Sequence, residues 1–134
     1  MKNLHILVVE DEPSNREIAE VILTSHGHQV TCAANGQEAL QLCIDEGKTF
    51  DAVLMDVLMP VMDGLEATRR LRAHPQTQDL TIICVSAKAS GSDQGAGLNA
   101  GCDTYVRKPY KRKELLQALS ETLLAKGVID VPLI

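Results

Sequence analysis

Two acidic centres end apolar runs in this sequence. Glu10 and Asp11 close the stretch LHILVVED, and Asp56 closes DAVLMD about forty-five residues later. A hydroxyl and a lysine stand in the same kind of place further on, where Ser86 ends TIICVS and Lys108 follows TYVR. A single acid after an apolar run is ordinarily a helix cap or a solvated turn, and that is the expectation for Asp51 and Asp63. An acid pair, an acid, a hydroxyl and an ammonium after four successive runs form a pattern that chance rarely supplies. Carboxylates drawn together raise one another's pKa, so such a cluster needs a cation or Lys108 to offset it. Magnesium suits it, taking oxygen ligands in octahedral geometry at about 2.0–2.1 Å while keeping several waters. The expected ligands are Asp11, Asp56 and the backbone carbonyl of Leu58, with manganese as the alternative cation. Asp56 is then placed to attack phosphorus, with Lys108 pairing one phosphoryl oxygen and the Ser86 hydroxyl donating to another.

These residues converge only if the elements carry them to one edge. Short apolar runs at 4–9, 29–33, 51–55, 81–85 and 104–106 read as strands, and the first, third and fourth are apolar on both faces, as buried parallel strands are. Helical patterns alternate with them. Residues 14–26 carry Ile18, Val21 and Ile22 on one stripe; NGQEALQLC opens with Asn35 as N-cap and Glu38 three residues on; DGLEATRRLR repeats the device with Asp63 and Glu66. Residues 110–126 place Leu116, Leu119 and Leu123 on one face. The segment between, SAKASGSDQGAGLNAGCDTY, predicts a weak helix of about ten residues with Leu98 as its one strong anchor and Gly91 outside it. Strict alternation implies right-handed crossovers and an α/β sandwich with helices on both faces of a parallel sheet. In such sheets ligands bind beyond the carboxyl ends of the strands, and a 2-1-3-4-5 order would make the first and third strands neighbours.

Length and composition agree with a single domain. The chain has 134 residues, 45% of them apolar and 23% charged. A net charge of -5 argues against general nucleic-acid binding, which rests on many phosphate contacts from Lys and Arg. The four cysteines, Cys32, Cys43, Cys84 and Cys102, lack metal-ligand spacing and read as buried reduced thiols in a reducing compartment. No run is long enough to span a bilayer and none resembles a signal peptide, so the expectation is a cytoplasmic protein. His26 and His28 are expected in a surface loop. The last eight residues, GVIDVPLI (127–134), fall outside the alternation and form an apolar tail or linker stub after a domain over 1–126; the sequence leaves open whether this tail packs on the domain, contacts a partner or begins a linker.

Taken together, VVEDEP, LMDVLMPVMDG, VSA and AGCDTYVRKP resemble response-regulator receiver domains, and the resemblance covers residues 4 to about 125. It implies a flavodoxin-like (βα)5 sandwich with strand order 2-1-3-4-5. It also implies a function in two-component signal transduction, in which a histidine kinase or histidine phosphotransfer protein passes a phosphoryl group to the receiver in a magnesium-dependent reaction. Position by position, the family's acidic pair falls on Glu10 and Asp11, its phosphoacceptor on Asp56, its hydroxyl on Ser86, its switch aromatic on Tyr105 and its lysine on Lys108. Two departures are mild: Glu10 stands where Asp is also common, and Ser86 where Thr is more usual. The longer Glu10 reaches the metal directly or through water. Phosphorylation is then expected to draw Ser86 toward the phosphate, turn Tyr105 inward and reshape the face of the fourth helix, fifth strand and fifth helix. Lys88, Arg107, Lys111, Arg112 and Lys113 lie on or near that face and suit an acidic partner. EDEPSNRE and MDGLEATRRLR look most like receivers of hybrid sensor kinases or phosphorelays.

Other functions account for these residues less well. A magnesium-dependent phosphohydrolase of the haloacid-dehalogenase type needs an acid two residues after its nucleophile, where this sequence has Leu58. A cofactor binder of the flavodoxin type needs a phosphate-cradling loop after the first strand, where EDEPSN presents carboxylates. A docking module that is never phosphorylated has no use for Asp56, Ser86 and Lys108 together. The expectation is therefore a phosphoacceptor whose only chemistry is its own phosphorylation and dephosphorylation, not an enzyme acting on separate substrates.

Overall fold

The computed structural model describes residues 3–134. Five strands and five helices alternate: β1 (His5–Val9), α1 (Pro13–Ser25), β2 (Gln29–Ala33), α2 (Gly36–Leu40), β3 (Ala52–Asp56), α3 (Gly64–Ala73), β4 (Ile82–Ser86), α4 (Gly91–Ala100), β5 (Thr104–Arg107) and α5 (Arg112–Ala125). The sheet is parallel throughout and its order is β2-β1-β3-β4-β5. Residues on both faces of β3 and β4 are buried, whereas β2 and β5 at the edges are only half covered. That is why the first, third and fourth runs are continuously apolar. Two strands extend one residue beyond the sequence expectation, so Asp56 and Ser86 are the last residues of β3 and β4 rather than the first of the following loops.

The two faces carry separate cores. On one, α1 and α5 pack Ile22, Leu23, Leu115, Leu116, Leu119 and Leu123 against Ile6, Val8 and Leu54. On the other, α2 and α3 cover Leu7, Val9, Val53, Met55 and Cys84 with Ala39, Leu40, Ala67 and Leu71. Both expected caps form: Asn35 accepts the Glu38 N–H at 2.9 Å and Asp63 accepts the Glu66 N–H at 2.8 Å. α2 passes straight into a π-helical turn over Gln41–Asp45, where the pattern had read as unbroken α-helix.

Three expectations need correction, and one question left open by the sequence is answered in part. The buried face of α1 is Ala19, Ile22 and Leu23, while Ile18 and Val21 are 53% and 55% exposed. His28 lies in the core and not in a surface loop: it is 4% exposed and its Nδ1 accepts the Leu4 N–H at 3.1 Å. α4 starts at Gly91, held by a reciprocal cap between Ser90 and Asp93, and its supposed anchor Leu98 points outward while Gly97 and Ala100 are buried. The apolar tail is partly core, since Ile129 and Leu133 join the α1–α5 cluster and Leu133 N–H donates to Ser120 Oγ at 2.9 Å. Val131 and Ile134 in the same segment stay exposed.

One guanidinium joins two connections at the end of the sheet opposite the strand C-termini. From the last turn of α3, Arg72 donates to the carbonyls of Gly101 at 2.8 Å, Gln78 at 3.0 Å and Leu80 at 2.5 Å. It also pairs with Asp103 at 2.9 Å, which in turn accepts the Ile82 N–H and the Lys126 ammonium.

Candidate functional site

The strand order brings the C-termini of β1 and β3 side by side, with β4 and β5 following. Glu10 directly follows β1, is 5% exposed, and is held by its own loop: its Oε2 accepts the Glu12 N–H at 3.2 Å and its carbonyl accepts Arg16 Nη1 at 2.9 Å. Asp11 beside it is exposed. Asp56 is 5% exposed at the end of β3. Glu10, Asp11 and Asp56 each present one carboxylate oxygen, all within 4.8 Å of one another. Lys108, after β5, reaches across with Nζ 2.5 Å from Glu10 Oε1 and 3.4 Å from Asp56 Oδ2. Its peptide bond to Pro109 is cis.

The loop after β3 shows why the residues following Asp56 are what they are. A Cβ on Gly64 would lie 2.1 Å from the Asp56 carbonyl oxygen, so only glycine lets the start of α3 sit against the end of β3. Gly64 N–H donates to the Val57 carbonyl at 3.0 Å and closes the loop. Within it, Met62 N–H donates to the Pro60 carbonyl, and Val61 between them has φ 70° and is 82% exposed. A β-branched residue at positive φ is a strained turn, stored next to the site.

Ser86 is fully buried at the end of β4; its hydroxyl accepts the Lys88 N–H at 3.1 Å and its carbonyl accepts the Lys108 N–H at 2.9 Å. Tyr105 on β5 is half-buried and donates its phenol to the Lys88 carbonyl at 2.6 Å. Its ring lies against α4 at Gly97, where a Cβ would meet it at 2.6 Å.

The electrostatics follow from three carboxylates facing one ammonium. Burial pushes the Asp56 carboxyl up to about 7, helped by its hydrogen bond to Glu10 and only partly opposed by Lys108. Burial acts on Glu10 in the same direction, but hydrogen bonds with Lys108 and Asp56 hold it below the ordinary carboxylate range. For Lys108 burial favours the neutral amine, and the two carboxylates outweigh it and keep the ammonium above its usual value. The ammonium thus serves Glu10 first and leaves Asp56 under-compensated. An all-oxygen donor set with surplus negative charge is what a hard divalent cation requires, and the residues present fit magnesium.

The structure therefore brings Glu10, Asp11, Asp56, Ser86 and Lys108 to one edge and places Tyr105 beside them. Sequence reasoning missed Tyr110, which lines the same cleft with Asp56 and Lys108 and whose phenol burial pushes up to about 12. It also missed Arg16, Asn15 and the steric demand at Gly64. The dipeptide DG after the third strand was the one available signal for the last.

Comparison with known proteins agrees with this geometry. A sequence profile described as the response regulator receiver domain matches residues 6–120. Response regulator MprA of Mycolicibacterium vanbaalenii is 41% identical over 120 residues, 90% of this chain and 50% of the relative. The chain spans about half the length of the curated relatives it matches. A putative response regulator from Chloroflexus aurantiacus superposes with TM-score 0.85 at 35% identity, covering 91% of this chain and 98% of the other. The receiver domain of a sensor histidine kinase from Pseudomonas aeruginosa has TM-score 0.81 at 37% identity, covering 94% and 99%, and holds a magnesium ion in its active-site cleft. By sequence, fold and the residues gathered at the strand ends, this chain belongs to the response-regulator receiver family.

Proposed function

We propose that Asp56 accepts a phosphoryl group from a phosphohistidine, on a histidine kinase or a histidine phosphotransfer protein, in a magnesium-dependent reaction. The observation that carries this reading is the position of Asp56, buried at the end of β3 with Glu10, Asp11 and Lys108 around its carboxylate. Asp11, Asp56 and the Leu58 carbonyl would hold the cation, with Glu10 joining directly or through water. Magnesium there supplies positive charge against the carboxylates and the phosphoryl oxygens. An Asp56 oxygen attacks phosphorus, the bond from phosphorus to the donor imidazole nitrogen breaks, and the imidazole leaves with the electron pair. Lys108 turns from Glu10 toward the new phosphoryl oxygens, and the buried Ser86 hydroxyl donates to another.

The donor has an apolar approach to this site. Ile18 and Val21 are exposed on α1, and Ile18 borders a cleft with Asn15, Lys108, Pro109 and Tyr110. This supports docking of a donor helix across α1. The output face is α4, β5 and α5, where Lys88, Arg107, Lys111, Arg112 and Lys113 are exposed. Tyr105 is the element that would relay the change, since its phenol is tied to the loop that Ser86 begins. Likeness to the sensor-kinase receiver supports a place within a hybrid kinase or a phosphorelay.

Intact-mass spectrometry after incubation with acetyl phosphate and magnesium tests the assignment. Wild type should gain one acid-labile phosphate, and Asp56→Asn should gain none. Undiminished phosphate on that variant would overturn it.

A further inference from the structure

We propose that Arg16 is a positioning residue for the cation site: its guanidinium clamps the peptide that carries Asp11 and so aims that carboxylate at the metal. The inference rests on the magnesium reading of the site and adds a residue to it. Asp11 is the ligand least secured by its surroundings. Glu10 is fixed at each of its polar groups: its N–H donates to the Ala33 carbonyl at 3.0 Å, its carboxylate takes the Glu12 N–H and the Lys108 ammonium, and its carbonyl takes Arg16 Nη1 at 2.9 Å. Asp56 is buried at the end of β3 beside Lys108. Asp11 is exposed, and among the described residues no hydrogen bond or ion pair holds its carboxylate. Its oxygen nevertheless lies within 4.8 Å of those of Glu10 and Asp56. What places it there is the backbone. The Glu10 carbonyl and the N–H and Cα of Asp11 belong to one planar peptide unit, so a donor on that carbonyl fixes the point from which the Asp11 side chain starts.

The guanidinium takes this partner in preference to nearer charges. Arg16 stands in the first turn of α1 with Glu12 four residues before it and Glu20 four residues after, the spacing at which helical ion pairs form. The Glu12 carboxylate is engaged as the helix cap on the Ser14 N–H, and among the described residues Arg16 forms an ion pair with neither acid. Its half-buried side chain turns back over the loop to Glu10, while its own N–H donates to the Glu12 carbonyl at 3.0 Å. One residue therefore grips the acidic loop on both sides of Asp11. Groups that orient a ligand without touching the metal typically set affinity by about 10–100-fold. The sign of the effect separates positioning from charge. A guanidinium near a divalent cation repels it, so on charge alone its removal would tighten binding. As a clamp, its removal loosens it.

Isothermal titration calorimetry with magnesium chloride on the metal-free protein, at fixed ionic strength, is the test. Arg16→Ala should raise the Kd for magnesium about 10-fold. Arg16→Lys, whose ammonium can still donate to the Glu10 carbonyl, should recover part of that loss. With acetyl phosphate, the magnesium concentration for half-maximal phosphorylation should rise in step with the Kd. Hydrogen exchange of metal-free Arg16→Ala should quicken at the amides of Asp11 and Glu12 and stay unchanged along β3. Protection lost along β3 as well would make Arg16 a residue of the fold and overturn the proposal. Unchanged or tighter magnesium binding by Arg16→Ala overturns the role of Arg16 and leaves the cation site standing. No magnesium binding by the wild type overturns the site, and this role with it.

Discussion

Asp56 is a carboxyl group held near neutrality by its surroundings, and its titration links the site to stability. Its native pKa of about 7 lies above the ordinary value of 3.8, so between those pH values the native state holds a proton that the unfolded chain has released. Stability of the metal-free protein should therefore fall as pH rises from about 4 to 7. Asp56→Asn should remove that loss, stabilising the protein at pH 8 in chelator by about 1–3 kcal/mol with little effect at pH 4, as read by urea unfolding. An equal gain at both pH values would mean that burial of the charge is not the cause. Magnesium should reverse the penalty in wild type, adding about 1.4 kcal/mol at roughly tenfold excess over its Kd, and Asp11→Ala should abolish most of that gain. Val61, at φ 70° and exposed, bears strain without contacts to defend it, so Val61→Gly should raise stability by about 1 kcal/mol while leaving the carboxylates in place. At this scale the sequence was most informative. Acids, a hydroxyl and a lysine at strand ends announce themselves by type, whereas Tyr110 and Asn15 enter the cleft only through packing and carry no such mark.

Elements were legible wherever burial enforced their pattern. The five strands, the caps at Asn35 and Asp63 and the leucine stripe of α5 appear where periodicity placed them. The fourth helix was the hard case because its helical signal is not an apolar stripe. Its glycines have distinct roles that composition does not separate. Nothing lies within 4 Å of a Cβ at Gly95, so Gly95→Ala should stabilise by about 0.4–1 kcal/mol. At Gly97 a Cβ would press into the Tyr105 ring, so Gly97→Ala should destabilise by about 1–3 kcal/mol, with the loss recovered in large part when Tyr105→Ala is added. Chemical unfolding of the four proteins reads the cycle, and equal gains from the two alanines would show that helix propensity alone governs the element. With only Gly97 and Ala100 buried, α4 should also exchange its amides at 93–99 faster than α5 does before phosphorylation. The stripe of α1 misled for the opposite reason. Ile18 and Val21 fit a core spacing but face solvent, and spacing alone does not separate an apolar stripe that packs on its own sheet from one left exposed.

For the molecule as a whole, the alternation of strand and helix carried the architecture, and the resemblance carried the strand order that makes it a single site. The tail was undecided in sequence because an apolar tail has the same composition whether it covers its own core or another chain's. Ile129 and Leu133 are 5% and 4% exposed, so Leu133→Ala should lower stability by about 2 kcal/mol or more in thermal melts without altering phosphate uptake. No helix among the described residues is long and apolar enough to cross a membrane. The Arg72 linkage has a mechanical consequence. It fastens the C-terminal end of α4 at Gly101 to α3 and to the Asp103–Lys126 pair, while the other end of α4 meets the loop from Ser86 through the exposed Ser90–Asp93 cap and the Gln94 side-chain amide, which donates to the Ala89 carbonyl. α4 is thus built like a lever with its fulcrum at Gly101: a displacement transmitted from Ser86 is expected to shift Ser90 more than the anchored Ala100.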